Sequence, residues 1–334
     1  MVFEQVLGRS SAQGSPQAVL APMSGISDVA FRRLASRFGA GFVVTEMVAA
    51  DACIRGAEEA RLRSEGRGVS PHVVQLVGRD PGPMAEAARL VEGAGADVVD
   101  INMGCPAKRV VGGLAGSALM REPTLALSIV AGVVAAVRLP VTVKMRLGWD
   151  TSSCNASVMA REVGELGAQG VTVHGRTRQQ FYAGASDWRA ISDVVAATSL
   201  LVIANGDVVS TSTARACLTA SGAAGVMVGR AAIGQPWIVG EIASALDGIV
   251  RLAPDLEARA AAACEHYDTV LTLYGRSIGV KHARKHLAAY AERAGEAGYG
   301  LSASDRSELV TSLEPSRVLA LLGRIYDEPL RCAA

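Results

Sequence analysis

The chain has 334 residues, 50% of them hydrophobic and only 4% aromatic, with a formal net charge of +1 and mean hydropathy +0.27. That supplies a substantial core and excludes a globally basic nucleic-acid binder, so any polyanion would need a local basic patch. No stretch reaches the ~18 uncharged apolar residues of a membrane span, and residues 1–17 lack a signal-peptide apolar run. Cys53, Cys105, Cys154, Cys217, Cys264 and Cys332 are scattered, without a CxxC pair or His/Cys ligand spacing. A reducing cytoplasm is therefore expected, with no disulfide framework and no metal.

Short apolar runs without alternation recur at 17–21, 42–45, 72–76, 97–101, 140–145, 170–173, 200–204 and 225–228. Runs of this kind suit strands covered on both faces. Between them lie helical patterns at 28–38, 83–92, 123–138, 156–166, 188–197, 211–220 and 236–246, with a weaker one at 58–63. Ser27 or Asp28 can cap the first, which stops at Gly39; prolines open the second and third. Eight strands alternating with helices predict an α/β fold, a (β/α)8 TIM barrel in preference to an open doubly wound sheet. After Asp247 the pattern becomes helical only, at 256–274, 277–293, 304–313 and 315–326, predicting a C-terminal all-helical domain. The expected division is 1–247 and 248–334.

Polar residues and glycines collect where the strands end, on the face where barrel enzymes carry their chemistry. The first strand runs into Pro22-Met23-Ser24, and the third carries Gln75, which serves equally well as a strand-edge amide. The fourth delivers Cys105 into a loop of Asn102, Gly104 and Pro106; a lone cysteine is either a small buried hydrophobe or the reactive group. In the fifth, Thr142, Lys144 and Arg146 share one face by the period of two, and a buried lysine needs an anionic ligand or a salt bridge. His174 and Arg176 share one side after the sixth. Asn205-Gly206-Asp207 and Gly229-Arg230 end the last two, either as tight turns or as a phosphate site of backbone N–H groups and an arginine fork.

Together these stretches closely resemble the tRNA-dihydrouridine synthases, and among them the bacterial B-type. The matching motifs are APMSGISDVAFR (21–32), TEMV (45–48), QLVGRDP (75–81), DINMGCPAKRV (100–110), GGLAGSALM (112–120), VKMRLGWD (143–150), VHGRTRQQFYAG (173–184), IANGDV (203–208), MVGRAAIGQPW (227–237) and ARKHL (283–287). The resemblance implies an FMN-holding barrel followed by a helical tRNA-binding domain. It implies reduction of a uridine C5–C6 double bond in tRNA, with NADPH or NADH as reductant, hydride delivered to C6 and Cys105 as the proton donor to C5. Flavin contacts then fall on Pro22, Met23, Ser24, Gln75, Lys144, His174, Asn205, Gly206, Asp207, Gly229 and Arg230. Asn102 and Arg176 face the substrate base, and Lys281, Arg284 and Lys285, sharing one helical face, meet tRNA phosphates. Position 17 of the D-loop and a monomer are suggested. One departure is Ala289, where the resemblance calls for tryptophan. A free-pyrimidine reductase like the dihydroorotate dehydrogenases, and a tRNA-binding protein without turnover, are the competing readings; the first needs no basic tail, and intact Cys105 and Lys144 argue against the second.

Overall fold

Runs of valine, isoleucine and small residues, too short for buried helices, form a sheet covered on both faces. In the computed structural model, which describes residues 17–249 and 251–329, these are β1 (Gln17–Leu20), β2 (Val43–Val44), β3 (Val48–Ala49), β4 (His72–Val77), β5 (Val98–Met103), β6 (Val141–Arg146), β7 (Gly170–His174), β8 (Leu201–Asn205) and β9 (Gly225–Val228). The N-terminal stretch 1–16 and Cys332 lie outside the described residues. All strand pairs are parallel, in the order β2-β1-β9-β8-β7-β6-β5-β4-β3, and β2 also pairs with β4, Val43 opposite His72, which closes the ring. Since β3 lies at the end of that order and pairs with β4, the closed barrel has eight strands.

The expected second strand is shorter than its apolar pattern, and β3 was not expected. The cause is local: the Gln75 amide bonds the Thr45 hydroxyl at 3.0 Å instead of a backbone carbonyl, interrupting the ladder between the two short strands.

The helices follow in chain order: α1 (Val29–Arg37), α2 (Ala50–Ile54), α3 (Glu58–Ser64), α4 (Pro81–Gly93), α5 (Lys108–Val111), α6 (Pro123–Ala136), α7 (Ala156–Glu165), α8 (Arg189–Ala197), α9 (Thr211–Ser221), α10 (Ile238–Leu246), α11 (Leu256–Glu296), α12 (Ala303–Thr311) and α13 (Pro315–Gly323). Asp28 caps α1 by accepting from the Phe31 amide at 2.9 Å, and Ser210 and Thr213 form a capping box on α9. The short α2 and α5 were not expected; neither is long enough to show a period of 3.6.

In the tail, α11 contains both helices that the pattern implied, broken at Gly275, whose φ of 71° and ψ of 160° only glycine adopts readily. Tyr267, Val270, Leu287, Tyr290, Leu309 and Leu322 cluster with Ala30 and Leu34 of α1 and with Trp237. The tail thus completes its core against the first barrel helix. Contact is also made at Gly234, where a Cβ would lie 2.5 Å from the carbonyl oxygen of Ala289, so a side chain there would push the tail away. No helix among the described residues is long and apolar enough to cross a membrane.

Candidate active site

Strand alternation sorts the barrel lumen into layers. Val19, Val44, Val73, Val98, Ile203 and Met227 form an apolar cluster. Two residues further along β4 and β5 come Gln75 and Asp100, and the strand register sets Gln75 beside Asp100, Asp100 beside Thr142, Asn102 beside Lys144, and His174 beside Asn205. The inward row therefore changes from apolar to polar toward the carboxyl ends of the strands, where barrel sites lie.

The polar layer is hydrogen-bonded throughout. Asp100 accepts from the Gln75 amide at 2.7 Å and the Thr142 hydroxyl at 2.6 Å, and Asn102 donates to the Gln75 oxygen at 2.7 Å. The Asn102 oxygen in turn accepts from the backbone N–H groups of Gly104 and Cys105, at 3.1 and 3.0 Å. The Arg146 guanidinium holds the Gly104 carbonyl at 2.9 Å, and the Ser117 hydroxyl holds that of Cys105 at 2.9 Å. Cys105 is thus carried on a loop fixed from three directions. Burial pushes its thiol above the usual range, outweighing a backbone hydrogen bond and the nearby Arg146 and Lys144 charges, so at neutral pH it is protonated.

These groups open on a cavity of about 720 Å³, within the range of cofactor and ligand sites. Every residue that the resemblance assigned to the flavin lines it, as do Asn102 and Cys105. Lys144 donates to the Asn205 side-chain oxygen at 3.0 Å, while Asn205 donates to the Met227 carbonyl, which fixes which way its amide points. An ammonium has three donors, so Lys144 keeps others for a ligand. Burial, helped by Arg146, lowers Lys144 to about 8 against the opposing pull of Asp100 and Cys105, leaving it mostly charged at neutral pH. His174 is driven far toward the neutral form, first by burial and then by Lys144, Arg146, Arg176 and Arg230. At the rim, half-exposed Arg230 stands 4.7 Å above the Tyr182 ring and 3.6 Å from Asp207.

A family profile described as dihydrouridine synthase matches residues 19–315. The chain belongs to the dihydrouridine synthase family. A probable tRNA-dihydrouridine synthase of Rhodobacter capsulatus is 48% identical over 94% of this chain and 95% of its own length. A tRNA-dihydrouridine synthase B of Xanthomonas axonopodis pv. citri is 41% identical over 94% of this chain and 93% of its own. A solved morphinone reductase mutant in complex with tetrahydroNAD is similar in fold alone, with a TM-score of 0.50, 13% identity, and 68% of this chain and 86% of that one covered.

Two of the residues expected at the substrate have partners within the chain. Arg176 does not line the cavity: it is 2% exposed, grips Asp207 with both ends of its fork at 3.0 and 2.7 Å, and also donates to the Ala183 and Gly184 carbonyls. Its side chain orders the 183–207 neighbourhood instead of reaching outward. Asn102 lines the cavity, yet its oxygen is occupied by the cysteine loop. Lys281, Arg284 and Lys285 do not line the cavity but surround a second hollow of about 540 Å³ on α11 that Ser277 and His282 also line, with the Lys285 ammonium beside Gly25. Asp100, Arg146, Tyr182 and Arg293 were not picked out as site residues. The period of two that marks Gln75 and Lys144 also marks Asp100 and Arg146; Tyr182 and Arg293 come from a loop and from the tail, for which spacing gives no signal.

Proposed function

We propose that this chain is an FMN-dependent tRNA-dihydrouridine synthase that reduces the C5–C6 bond of a D-loop uridine, position 17 by its B-type resemblance. The observation that carries this reading is a cysteine on an immobilised loop sharing one cavity with a partly buried lysine ammonium that has donors left for a ligand. The donor set fits FMN. Lys144, Asn205 and Gln75 suit the polar edge of a flat heterocycle, Pro22 to Ser24 wall it, and Arg230 with the backbone of 206–207 and 229–231 suits a phosphate. FMN held by these residues, once reduced by a nicotinamide cofactor such as NADPH, would supply hydride for C6 of uracil.

The chain's own residues supply the rest. Cys105 gives its thiol proton to C5, and the high affinity of that thiol for its proton keeps the acid loaded at neutral pH. Lys144 sets a positive charge where negative charge would gather on a reduced ring. Asn102, Ser117 and Arg146 keep the donor sulfur from wandering, which holds the proton close to one carbon. A uridine stacked in tRNA must be flipped out to reach this depth, at a few kcal/mol. Phosphate contacts of Lys281, Arg284 and Lys285 on the tail, residues 248–334, offset that cost, while residues 1–247 form the catalytic barrel. The protein works as a cytoplasmic monomer.

Mass spectrometry of nucleosides from cells lacking the gene tests the whole reading, with loss of dihydrouridine expected and restoration by the intact gene. Unchanged dihydrouridine in the deleted strain, together with turnover of a free pyrimidine by the purified protein, would replace it with the free-pyrimidine reading.

A further inference from the structure

Three of the chain's five histidines meet one buried carboxylate between barrel and tail. Asp28, at the start of α1, is 1% exposed, and His266 and His286 of α11 are each 2% exposed. One ligand atom from each of these three lies within 4.8 Å of the others. His282 Nε2 stands 3.4 Å from Asp28 Oδ2, and His266 Nε2 stands 3.9 Å from Asp28 Oδ1. The break at Gly275 makes this possible. Twenty residues of straight helix would separate His266 from His286 by ~30 Å, yet their rings are 4.5 Å apart.

What sets this cluster apart is its unmet hydrogen-bonding capacity. Asp28 Oδ2, His266 Nε2, His282 Nε2 and both ring nitrogens of His286 are buried without a well-directed hydrogen bond among the described residues. Each such atom is costly in a protein interior, and a group of them needs an explanation. Pairing within the cluster gives only part of one: His282 Nε2 stands 3.4 Å from Asp28 Oδ2, but neither ring nitrogen of His286 has a partner among the described residues. The nearby arginine does not supply the rest: Arg32 gives Nε and Nη2 to the Ser27 and Glu65 carbonyls, and its Nη1 makes no hydrogen bond to these atoms.

We propose that Asp28, His266 and His286, with His282 beside them, form a buried divalent-cation site that pins the helical tail to the barrel. Three imidazoles and one carboxylate are a donor set for tetrahedral zinc, in which bonds of ~2.0–2.1 Å place ligand atoms roughly 3.4 Å apart. The 3.4 Å between His282 Nε2 and Asp28 Oδ2 matches that spacing, and one atom each of Asp28, His266 and His286 lies within 4.8 Å of the others, so small side-chain shifts complete the set. His266 already has the outer partner that ligating histidines use, its Nδ1 lying 3.0 Å from the Tyr290 hydroxyl. Asp28 Oδ1 stays on the Phe31 amide, leaving Oδ2 for the ion. The consequence is mechanical: the cation fixes the α11 segment bearing Lys281, Arg284 and Lys285 relative to the mouth of the barrel. The absence of a metal expected from ligand spacing is thereby reopened, since these ligands come from opposite ends of the chain.

Elemental analysis of the full chain, purified without chelator or a metal-affinity tag, tests the site; about one equivalent of zinc per chain is expected. His286→Ala should lose it while far-ultraviolet circular dichroism still reports a folded protein. Should that variant fail to fold, chelator-treated wild-type protein titrated with Co²⁺ gives the same answer, through the visible absorption of tetrahedral cobalt. Tyr290→Phe should weaken Co²⁺ binding about tenfold by releasing His266. Less than about a tenth of an equivalent of any divalent metal, with no tetrahedral cobalt spectrum, would overturn the proposal.

Discussion

The barrel lumen and the barrel–tail seam both bury a carboxylate among polar side chains, and they treat it in opposite ways. Asp100 has a hydrogen bond on each oxygen, from Gln75 and Thr142, and the network continues through Asn102 to the cysteine loop. Asp28 shares its pocket with imidazoles whose inward nitrogens have no hydrogen-bond partner. A buried network that satisfies itself gives rigidity, and here that rigidity reaches a reacting group. A buried cluster that does not satisfy itself is arranged for a missing partner. The contrast separates scaffold from binding site more sharply than burial does, since Asp28 and Asp100 are both almost fully enclosed.

The largest effect that would test the comparison lies at the end of the satisfied network. Cys105→Ala should slow single-turnover reduction of uridine in tRNA by ~10²–10⁴ while flavin binding, followed by fluorescence, stays unchanged. An undiminished rate would remove the sulfur as proton donor. Next, Asp100→Leu should lower stability in urea unfolding by about 3 kcal/mol, because Gln75 and Thr142 lose their acceptor and Lys144 its nearest opposing charge. A neutral result would mean that the lumen network is not what stiffens the barrel.

Smaller effects probe the tail and the ammonium. Replacing Lys281, Arg284 and Lys285 together by alanine should weaken tRNA binding about tenfold or more and flatten its salt dependence, without altering flavin affinity. Equal salt slopes for the parent and the triple variant would move the RNA elsewhere. The smallest expected change is in pH dependence. Lys144 is held at about 8 when folded, against an ordinary 10.5. Flavin affinity should therefore decline as pH rises through about 8, where the ammonium loses its proton. In the same flavin-free protein, unfolding stability should rise between about 8 and 10.5, because there the unfolded chain binds the extra proton. A flat affinity profile would detach Lys144 from the cofactor.

Legibility in the sequence followed chain proximity. Eight apolar runs and their glycine-rich ends were enough for the barrel. The period of two put Lys144 on the inner face, and a strand ending in Asn-Met-Gly-Cys-Pro pointed to Cys105. Periodicity gives the side on which the Arg176 side chain starts, not where its long guanidinium ends; the fork closes on Asp207, from the following strand's loop. The split second strand was hidden for a similar reason, since Thr45 replaces a ladder bond with a side-chain one.

By itself the sequence determined the alternation of strands and helices, the family, and the strand-end residues around the cavity, because each rests on neighbours in the chain or on motifs a few residues long. Only the tertiary structure decided that Asn102 holds the cysteine loop, that Arg176 turns inward, and that Asp28 meets His266, His282 and His286. The Arg176–Asp207 pair and the Asp28 cluster join residues remote along the chain and exist only once the ring of strands has closed and the helix broken at Gly275 has folded back against α1, whereas the Asn102 contacts are two and three residues away and needed only the side chain's orientation.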